Sequence, residues 1–193
     1  MEQPPYIDVS DEVLAAAAVK DHRAFAEIIR RYQGKLFSYI MRISNVSREE
    51  AEDILQDSFL KVYRNLNDFD SSLKLSSWLY RITHNQVISE YRKKSVRAHG
   101  HTVDIDDTAL SRLASDIDTA REVDIKLLRQ NIEGIMSDID EKYREVLVLR
   151  FFEELSYQEI SDILRKPMGT VATLVNRAKA QFDKVATARG IQF

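Results

Sequence analysis

Apolar residues recur at every third or fourth position along most of the chain, the spacing that places them on one face of an α-helix. The first such stretch runs from Ser10, a plausible cap, to Ile43 and ends at a polar break over 44–47. A capping box, in which Glu50 follows Ser47 by three residues, then opens a new helix. Helices are therefore predicted within 10–43, at about 49–66 and at about 77–94, with a polar loop over 67–77.

The pattern is interrupted between 96 and 122, where large apolar residues are scarce and Asp, Ser and Thr are frequent. This composition is typical of a linker. Helical periodicity resumes at Ile125, pauses over 138–140 and continues to Phe152. The pattern predicts an all-α fold of two small helical domains, joined by a flexible acidic linker at 96–122, and the domains are expected at 8–95 and 123–190.

The last periodic stretch, LSYQEISDILRKPMGTVATLVNRAKAQF at 155–182, has the pattern of a helix-turn-helix. Ser156 and Glu159 form a second capping box, and Pro167 ends the first helix because its ring denies helical geometry to the residue before it. Thr170 is the expected cap of the second helix. A small, polar face at the start of that helix fits the major groove, although an ordinary helical hairpin explains the pattern about as well. The candidate DNA-reading residues are Thr170, Thr173, Asn176, Arg177 and Lys179.

Composition and charge narrow the possible functions. The 193 residues include no cysteine, which excludes disulfides and thiolate zinc sites. The net charge is −3, but residues 81–97 carry +4 and residues 165–189 carry +5, on either side of 101–124 with −5. Local basic segments keep nucleic-acid binding open in an acidic chain. The sequence shows neither a signal peptide nor a span long enough for a membrane, so we expect a cytoplasmic protein without membrane insertion.

The helix-turn-helix resembles the last DNA-binding motif of extracytoplasmic-function (ECF) sigma factors, the small promoter-specificity subunits of bacterial RNA polymerase. The family pattern is close to L-S-Y-x-E-I-A-x-I-L and then P-x-G-T-V-K-S-R-L-x-R-A-R, which LSYQEISDIL and PMGTVATLVNRAK match at most positions. The preceding DEKYREVLVLRFFEELS is similar to the family's D-x-x-R-E-V-x-x-L-R run. AEDILQDSFLKVYRNL at 51–66 is similar to the family's polymerase-docking helix, and SSWLYRITHNQVISEYRKK at 76–94 to its −10 reading helix.

The chain departs from the family pattern at three positions. Ala172 stands where the family usually has Lys or Arg, and Leu174 where it has Arg. Two lost charge-assisted contacts would weaken binding by about 1–3 kcal/mol each if both reached bases or phosphates. Base reading is therefore expected to depend on Thr170, Thr173, Asn176 and Arg177. The third departure is Leu75, where Phe is common.

The resemblance assigns roles to two faces of the first domain. On the 49–66 helix, polar residues at three- and four-residue spacing share one face, which by itself would suggest only solvated surface. The resemblance implies that this face docks on polymerase through Asp53, Gln56, Asp57 and Lys61. On the 77–94 helix, basic residues beside aromatic ones suit single-stranded DNA, although Trp78 could equally belong to the core. The expected −10 residues are Asp70, Ser71, Ser72, Lys74, Trp78, Tyr80, Arg81, His84, Asn85, Arg92 and Lys93.

The resemblance therefore implies a promoter-specificity subunit without enzymatic activity. Its expected partners are core RNA polymerase, promoter DNA as −35 duplex and −10 single strand, and an anti-sigma protein; no cofactor or metal is expected. His99 and His101 in the linker lack further ligands and are more readily incidental. Two alternatives remain at this point. A stand-alone helix-turn-helix regulator should dimerise on paired half-sites, and a recombinase would need a nucleophile that the first 120 positions do not supply.

Overall fold

The computed structural model describes residues 6, 8–98 and 121–191, and within these ranges it contains helices and no strand. The predicted all-α fold is confirmed. Most of the predicted linker, with His99 and His101, lies outside the described residues. The helices are α1 (Asp11–Ala18), α2 (His22–Ile43), α3 (Arg48–Arg64), α4 (Leu75–Ala98), α5 (Arg121–Ser137), α6 (Glu141–Leu147), α7 (Tyr157–Leu164) and α8 (Met168–Ala188), with a 3-10 turn at Leu66–Asp68 and a π-helical turn at Val148–Phe152.

Side-chain caps begin four of these helices, three of them as predicted. The Ser10 hydroxyl caps α1, and the capping boxes that begin at Ser47 and Ser156 both form. The periodic stretch before the 44–47 break is nevertheless two helices. The Asp21 carboxylate accepts a 2.9 Å hydrogen bond from the backbone N–H of Arg23, and this cap starts α2 separately from α1.

The predicted cap of α8 is wrong by three residues. Thr170 does not cap the helix; it lies inside the first turn, where its backbone N–H donates to the Pro167 carbonyl at 2.8 Å. Pro167 takes the cap position instead, because its fixed φ suits the residue before a helix and its missing N–H would have had no helical partner. The reversal of the chain comes just before it, at Arg165, which adopts the left-handed conformation with φ 52°.

Helices α1–α4 form a first domain around a shared apolar core. Ile54, Phe59 and Val62 of α3 are buried, as is Leu66 in the 3-10 turn that follows, while Leu55 is only half-buried. This packing turns the opposite, polar face of α3 outward. The largest fully buried side chains of the domain are Leu14, Ile28, Leu36, Tyr39, Ile40, Leu75 and Leu79.

Helices α5–α8 form a second domain, whose buried apolar side chains are continuous with the core of the first, and the Arg144 side chain is buried within it. The Arg144 guanidinium donates to the carbonyls of Met136 at 2.8 Å, Ser137 at 2.9 Å and Ile139 at 3.2 Å. The Met136 and Ser137 carbonyls lie in the last turn of α5 and the Ile139 carbonyl in the turn that follows, so Arg144 supplies additional donors to this helix end. The apolar core of the domain comprises Ile135, Ile139, Val146, Leu149, Ile160, Ile163, Val171, Val175 and Ala178.

The two domains also pack against each other, α4 on α7 and α2 on α6. We call the surface between them the junction. Its polar contacts join residues of the first domain, Arg42, Asn45, Lys74, Tyr80 and His84, to residues of the second, Arg144, Glu145, Glu153 and Glu159. Within residues 8–98 and 121–191, every helix is too short or too polar to span a lipid bilayer.

Candidate nucleic-acid and polymerase interfaces

The outer face of α8 is polar, exposed and held in place by an apolar inner face. Val171, Val175 and Ala178 are fully buried, and this fixes the rotation of the helix about its axis. The Thr173 hydroxyl donates to the Gly169 carbonyl at 2.9 Å, so the oxygen it presents outward is an acceptor. The predicted DNA-reading residues are all exposed, and they are Thr170, Thr173, Asn176, Arg177 and Lys179.

The structure gives a reason for one departure from the family pattern. Leu174 is half-buried and packs against the core of the second domain. It therefore contributes apolar contact at the edge of the helix-turn-helix, where an arginine would direct its charge toward solvent along an apolar stem. Ala172 is also half-buried, and its short side chain leaves that side of α8 without a donor.

The polar face of α3 is exposed over its whole length. Asp53, Gln56, Asp57 and Lys61, the four predicted polymerase-docking residues, are all exposed and share this face. Leu60 lies among them with 51% of its surface exposed. An exposed leucine within a ring of polar residues is the composition expected of a protein-binding surface.

Gln86 lies beneath this face, and the sequence pattern gave no indication of its role. It belongs to α4 and is 2% exposed. Its Nε2 donates to the Asp57 carboxylate at 2.9 Å, and its Oε1 accepts a hydrogen bond from the Lys61 ammonium. Since the partners lie on another helix, periodicity within α4 could not reveal them. One buried amide thus holds two of the four predicted docking side chains.

The loop before α4 presents the polar groups expected to meet the −10 base. Asp70, Ser71, Ser72 and Lys74 are exposed. Hydrogen bonds from Ser72 lower the pKa of the Asp70 carboxyl below its usual range, so Asp70 is an acceptor at neutral pH. On α4, Asn85, Arg92 and Lys93 are exposed and Arg81 is half-buried.

The aromatic residues expected at the −10 face are covered in this structure. Trp78 packs on Phe69 with ring centroids 5.0 Å apart and is 6% exposed, so it lies in the core. Tyr80 is 3% exposed and donates its hydroxyl hydrogen to Glu153. Burial, and then this hydrogen bond, raise the pKa of Tyr80. His84 directs Nδ1 at the Glu145 carboxylate. Both carboxylates belong to the second domain.

Two family sequence models match the chain, Sigma-70 region 2 over residues 28–97 and Sigma-70 region 4 over residues 129–182. The ECF RNA polymerase sigma factor SigW of Bacillus subtilis is 35% identical over 171 residues, which span 85% of this chain and 89% of that protein. The chain is an ECF sigma factor. The RNA polymerase sigma-H factor of Pseudomonas aeruginosa is a further relative, 30% identical over 85% of this sigma factor and 86% of its own length.

Two solved structures share the fold of this sigma factor. CnrH, solved in complex with the cytosolic domain of CnrY, superposes with a TM-score of 0.66 at 24% identity and covers 92% of this chain and 97% of its own. The sigma factor RpoE of Bartonella quintana, solved with the anti-sigma factor NepR, gives a TM-score of 0.69 at 19% identity. It covers 84% of this chain and 96% of its own. At these identities the likeness concerns the fold.

The family assignment decides between the alternatives left by the sequence. Region 2 covers most of α2 and all of α3, and α4 up to 97, whereas region 4 covers the helix-turn-helix. A stand-alone regulator or a recombinase would not combine these two regions. As an ECF sigma factor, the protein is a promoter-specificity subunit of RNA polymerase and acts in transcription initiation.

Proposed function

We propose that this sigma factor brings core RNA polymerase to promoters with two elements, with α8 reading the −35 duplex and α4 with its preceding loop holding the melted −10 strand. The observation that supports this most directly is the division of α8 into a fully buried apolar face and an exposed polar face that begins at its first turn. A helix entering the major groove contacts base edges with residues near its amino end.

The proposed −35 residues fall into those suited to contact base edges and those suited to contact phosphates. Asn176 can bond adenine in the major groove through both ends of its amide, and Arg177 can do the same with guanine. Thr173 offers an acceptor, which suits a base amino group. Lys179 and the free backbone N–H groups at the start of α8 are placed for phosphates, since a helix amino terminus attracts anions.

Neither DNA site needs to bind tightly alone. Both are tethered to one polymerase, and the second contact then forms at a high effective concentration. This compensates for the missing cations at Ala172 and Leu174. The isolated second domain is accordingly expected to bind duplex DNA weakly.

The chemistry of RNA synthesis belongs to polymerase, and this chain contributes no catalytic group. It acts in the cytoplasm, where polymerase transcribes. Control by an anti-sigma protein is supported by the solved fold relatives, since CnrH was solved with CnrY and RpoE with NepR. Such a protein would compete with polymerase for the first domain.

Polymerase docking through α3 is tested by co-elution with catalytic core RNA polymerase on a sizing column. The variant Asp53→Arg/Asp57→Arg reverses two charges on the docking face and should abolish co-elution. Asp8→Arg/Glu12→Arg is the matched control, because it reverses two exposed carboxylates of the same domain away from α3. Loss in both variants, or in neither, would contradict docking through this face; a folded wild-type chain that never co-elutes would contradict the function itself.

A further inference from the structure

The amino-terminal part of α8 carries only small and apolar side chains and two threonines. Residues 168–175 include no charged side chain and no amide. In the major groove, guanine is read by arginine or lysine, and adenine by asparagine or glutamine. This part of the helix has none of these residue types. Any base pair that it contacts is therefore recognised through hydroxyl groups and apolar contact.

Thr173 is the exposed side chain of this part that the structure holds in a fixed orientation. Its hydroxyl donates to the Gly169 carbonyl at 2.9 Å, so the hydroxyl hydrogen is already used. This bond selects one of the two χ1 rotamers that threonine adopts in a helix, and it thereby fixes the γ-methyl group relative to the oxygen. Thr173 thus offers a hydrogen-bond acceptor and a methyl group side by side.

Gly169 leaves the space beside Thr173 open. A helical side chain leans toward the turn that precedes it, and the residue one turn before Thr173 is Gly169. A Cβ atom built on Gly169 would find no neighbouring heavy atom within 4 Å. A base edge can therefore approach the helix here and reach both groups of Thr173.

An A·T pair complements these two groups. In the major groove it presents the 6-amino donor of adenine and the C5-methyl group of thymine. A G·C pair presents the cytosine amino donor but no methyl group, and the O6 and N7 atoms of guanine are acceptors that would oppose the Thr173 oxygen. The methyl group is therefore the feature that distinguishes the two pairs for this side chain.

We propose that Thr173 is a specificity-determining residue that selects an A·T pair in the −35 element. Its γ-methyl group packs against the thymine C5-methyl group, and its hydroxyl oxygen accepts a hydrogen bond from the adenine amino group. This rests on the proposed −35 role of α8. Removing either methyl group should weaken binding about fourfold, because the contact is worth about one buried methyl group.

The test uses the full-length chain bound to core polymerase. The −35 element is first obtained by selection from promoter duplexes randomised at that site. Each thymine of the enriched element is then replaced, one at a time, by deoxyuridine, which lacks only the C5-methyl group. Competition against a labelled promoter duplex measures the affinity.

Two serine variants form a matched pair. Thr173→Ser removes the γ-methyl group and keeps the hydroxyl. Thr187→Ser is the control, because Thr187 is exposed on the same helix and its hydroxyl donates in the same way to the Asp183 carbonyl at 2.8 Å. Thr187 is not among the predicted DNA-reading residues.

Deoxyuridine should weaken binding of the wild type about fourfold at one position. Thr173→Ser should bind the thymine duplex about fourfold more weakly than the wild type and show no deoxyuridine effect at that position. Thr187→Ser should behave like the wild type with both duplexes. A wild type that is indifferent to deoxyuridine at every position would overturn the proposal, as would a Thr173→Ser variant that keeps the full effect or a control that loses it.

Thr173→Val tests the amino contact separately, since it keeps a γ-methyl group and removes the oxygen. It should bind roughly 2- to 10-fold more weakly than the wild type and keep the deoxyuridine effect. Binding as tight as that of the wild type would overturn the hydrogen bond to adenine.

The selection separates this proposal from the function on which it rests. If no sequence is enriched at the −35 site, the proposed −35 role of α8 is wrong and the thymine contact is wrong with it. If an element is enriched that contains no A·T pair, or that responds to none of the deoxyuridine substitutions, the −35 role stands and only the thymine contact is wrong.

Discussion

Gln86 offers a sharp test of how α3 presents its proposed docking face. Asp57 and Lys61 are one helical turn apart, with the acid first, so they would pair directly if nothing stood between them. Gln86 prevents this by bonding both. The substitution Gln86→Met keeps the length of the side chain in its buried position but removes the amide. Asp57 and Lys61 are then free to neutralise each other instead of a partner.

The expected loss of binding free energy follows from the number of side chains that Gln86 no longer holds in place. Immobilising a long side chain at an interface costs about 0.5–1.5 kcal/mol. Two released side chains therefore weaken binding to core polymerase by about 1–3 kcal/mol, which corresponds to roughly 5- to 150-fold. Stability should fall by less than about 1 kcal/mol, because Asp57 and Lys61 are exposed and return to water when the amide is lost.

The assay is a competition titration, in which unlabelled variants displace a labelled wild-type chain from core polymerase, with urea unfolding measured in parallel. Thr83→Val is the matched control. Thr83 is fully buried on the same helix and its hydroxyl has no hydrogen-bond partner among the described residues, so valine removes no bond. Thr83→Val should bind polymerase like the wild type.

A double-mutant cycle decides whether Gln86 acts through its partners. In a chain that already carries Asp57→Asn and Lys61→Met, the change Gln86→Met should have little further effect on binding. Fully additive losses would refute the reasoning, because Gln86 would then act independently of both side chains. A loss of binding that merely followed a large loss of stability would refute it as well.

Three further predictions concern stability and DNA binding. Arg144→Met should destabilise the second domain by about 3–5 kcal/mol, because it removes the guanidinium that donates to carbonyls in the last turn of α5 and just after it; thermal unfolding measures this, and an unchanged midpoint would contradict the capping role. The pKa of Glu27 is lowered to about 2 by hydrogen bonds from two neighbouring arginines, so its carboxylate stabilises the fold above its ordinary pKa of about 4.5 and loses that effect as the pH falls toward 2. Glu27→Gln should therefore be less stable than wild type at pH 7 and converge with it in acid, and a constant difference in urea unfolding across this range would argue against the ion pairs. Ala172→Lys/Leu174→Arg should tighten binding of the second domain to −35 duplex about tenfold or more, whereas the exposed control Ala180→Lys should add only a nonspecific gain; equal gains in a titration would show that charge alone accounts for the effect.

Local signals in the sequence predicted much of the fold. The capping boxes at Ser47 and Ser156 predicted two helix starts correctly, because both partners of each box lie within one turn of chain. The cap of α8 was wrongly assigned to Thr170 because both a proline and a threonine stand near the start of the helix. Pro167 comes first along the chain, and its fixed φ lets the helix begin before Thr170 is reached. The separate start of α2 at Asp21 was missed because the apolar spacing continues across it.

Contacts between residues far apart in the sequence could not be predicted from the spacing of apolar residues. Tyr80 and Glu153 are 73 positions apart, and no periodicity links them. An aromatic residue beside basic ones predicts a nucleic-acid surface equally well whether that surface is open or covered. The polar faces of α3 and α8 were predicted correctly as exposed, because each is opposite an apolar stripe on its own helix.

Helix α4 has contacts with α3 on one side and with the second domain on another, and this limits how its sequence can change during evolution. One side supports the proposed polymerase face through Gln86, and another meets the carboxylates of the second domain through Tyr80 and His84. Among the described side chains of α4, Asn85, Arg92 and Lys93 are the ones that remain exposed. A change of −10 preference therefore has few sites where it can arise without a second defect. Among the described residues, the predicted DNA-reading side chains of α8 make one such contact outside their own helix, that of Lys179 with the Phe151 ring. Relatives that diverge from this chain should thus acquire new −35 sequences more readily than new −10 sequences.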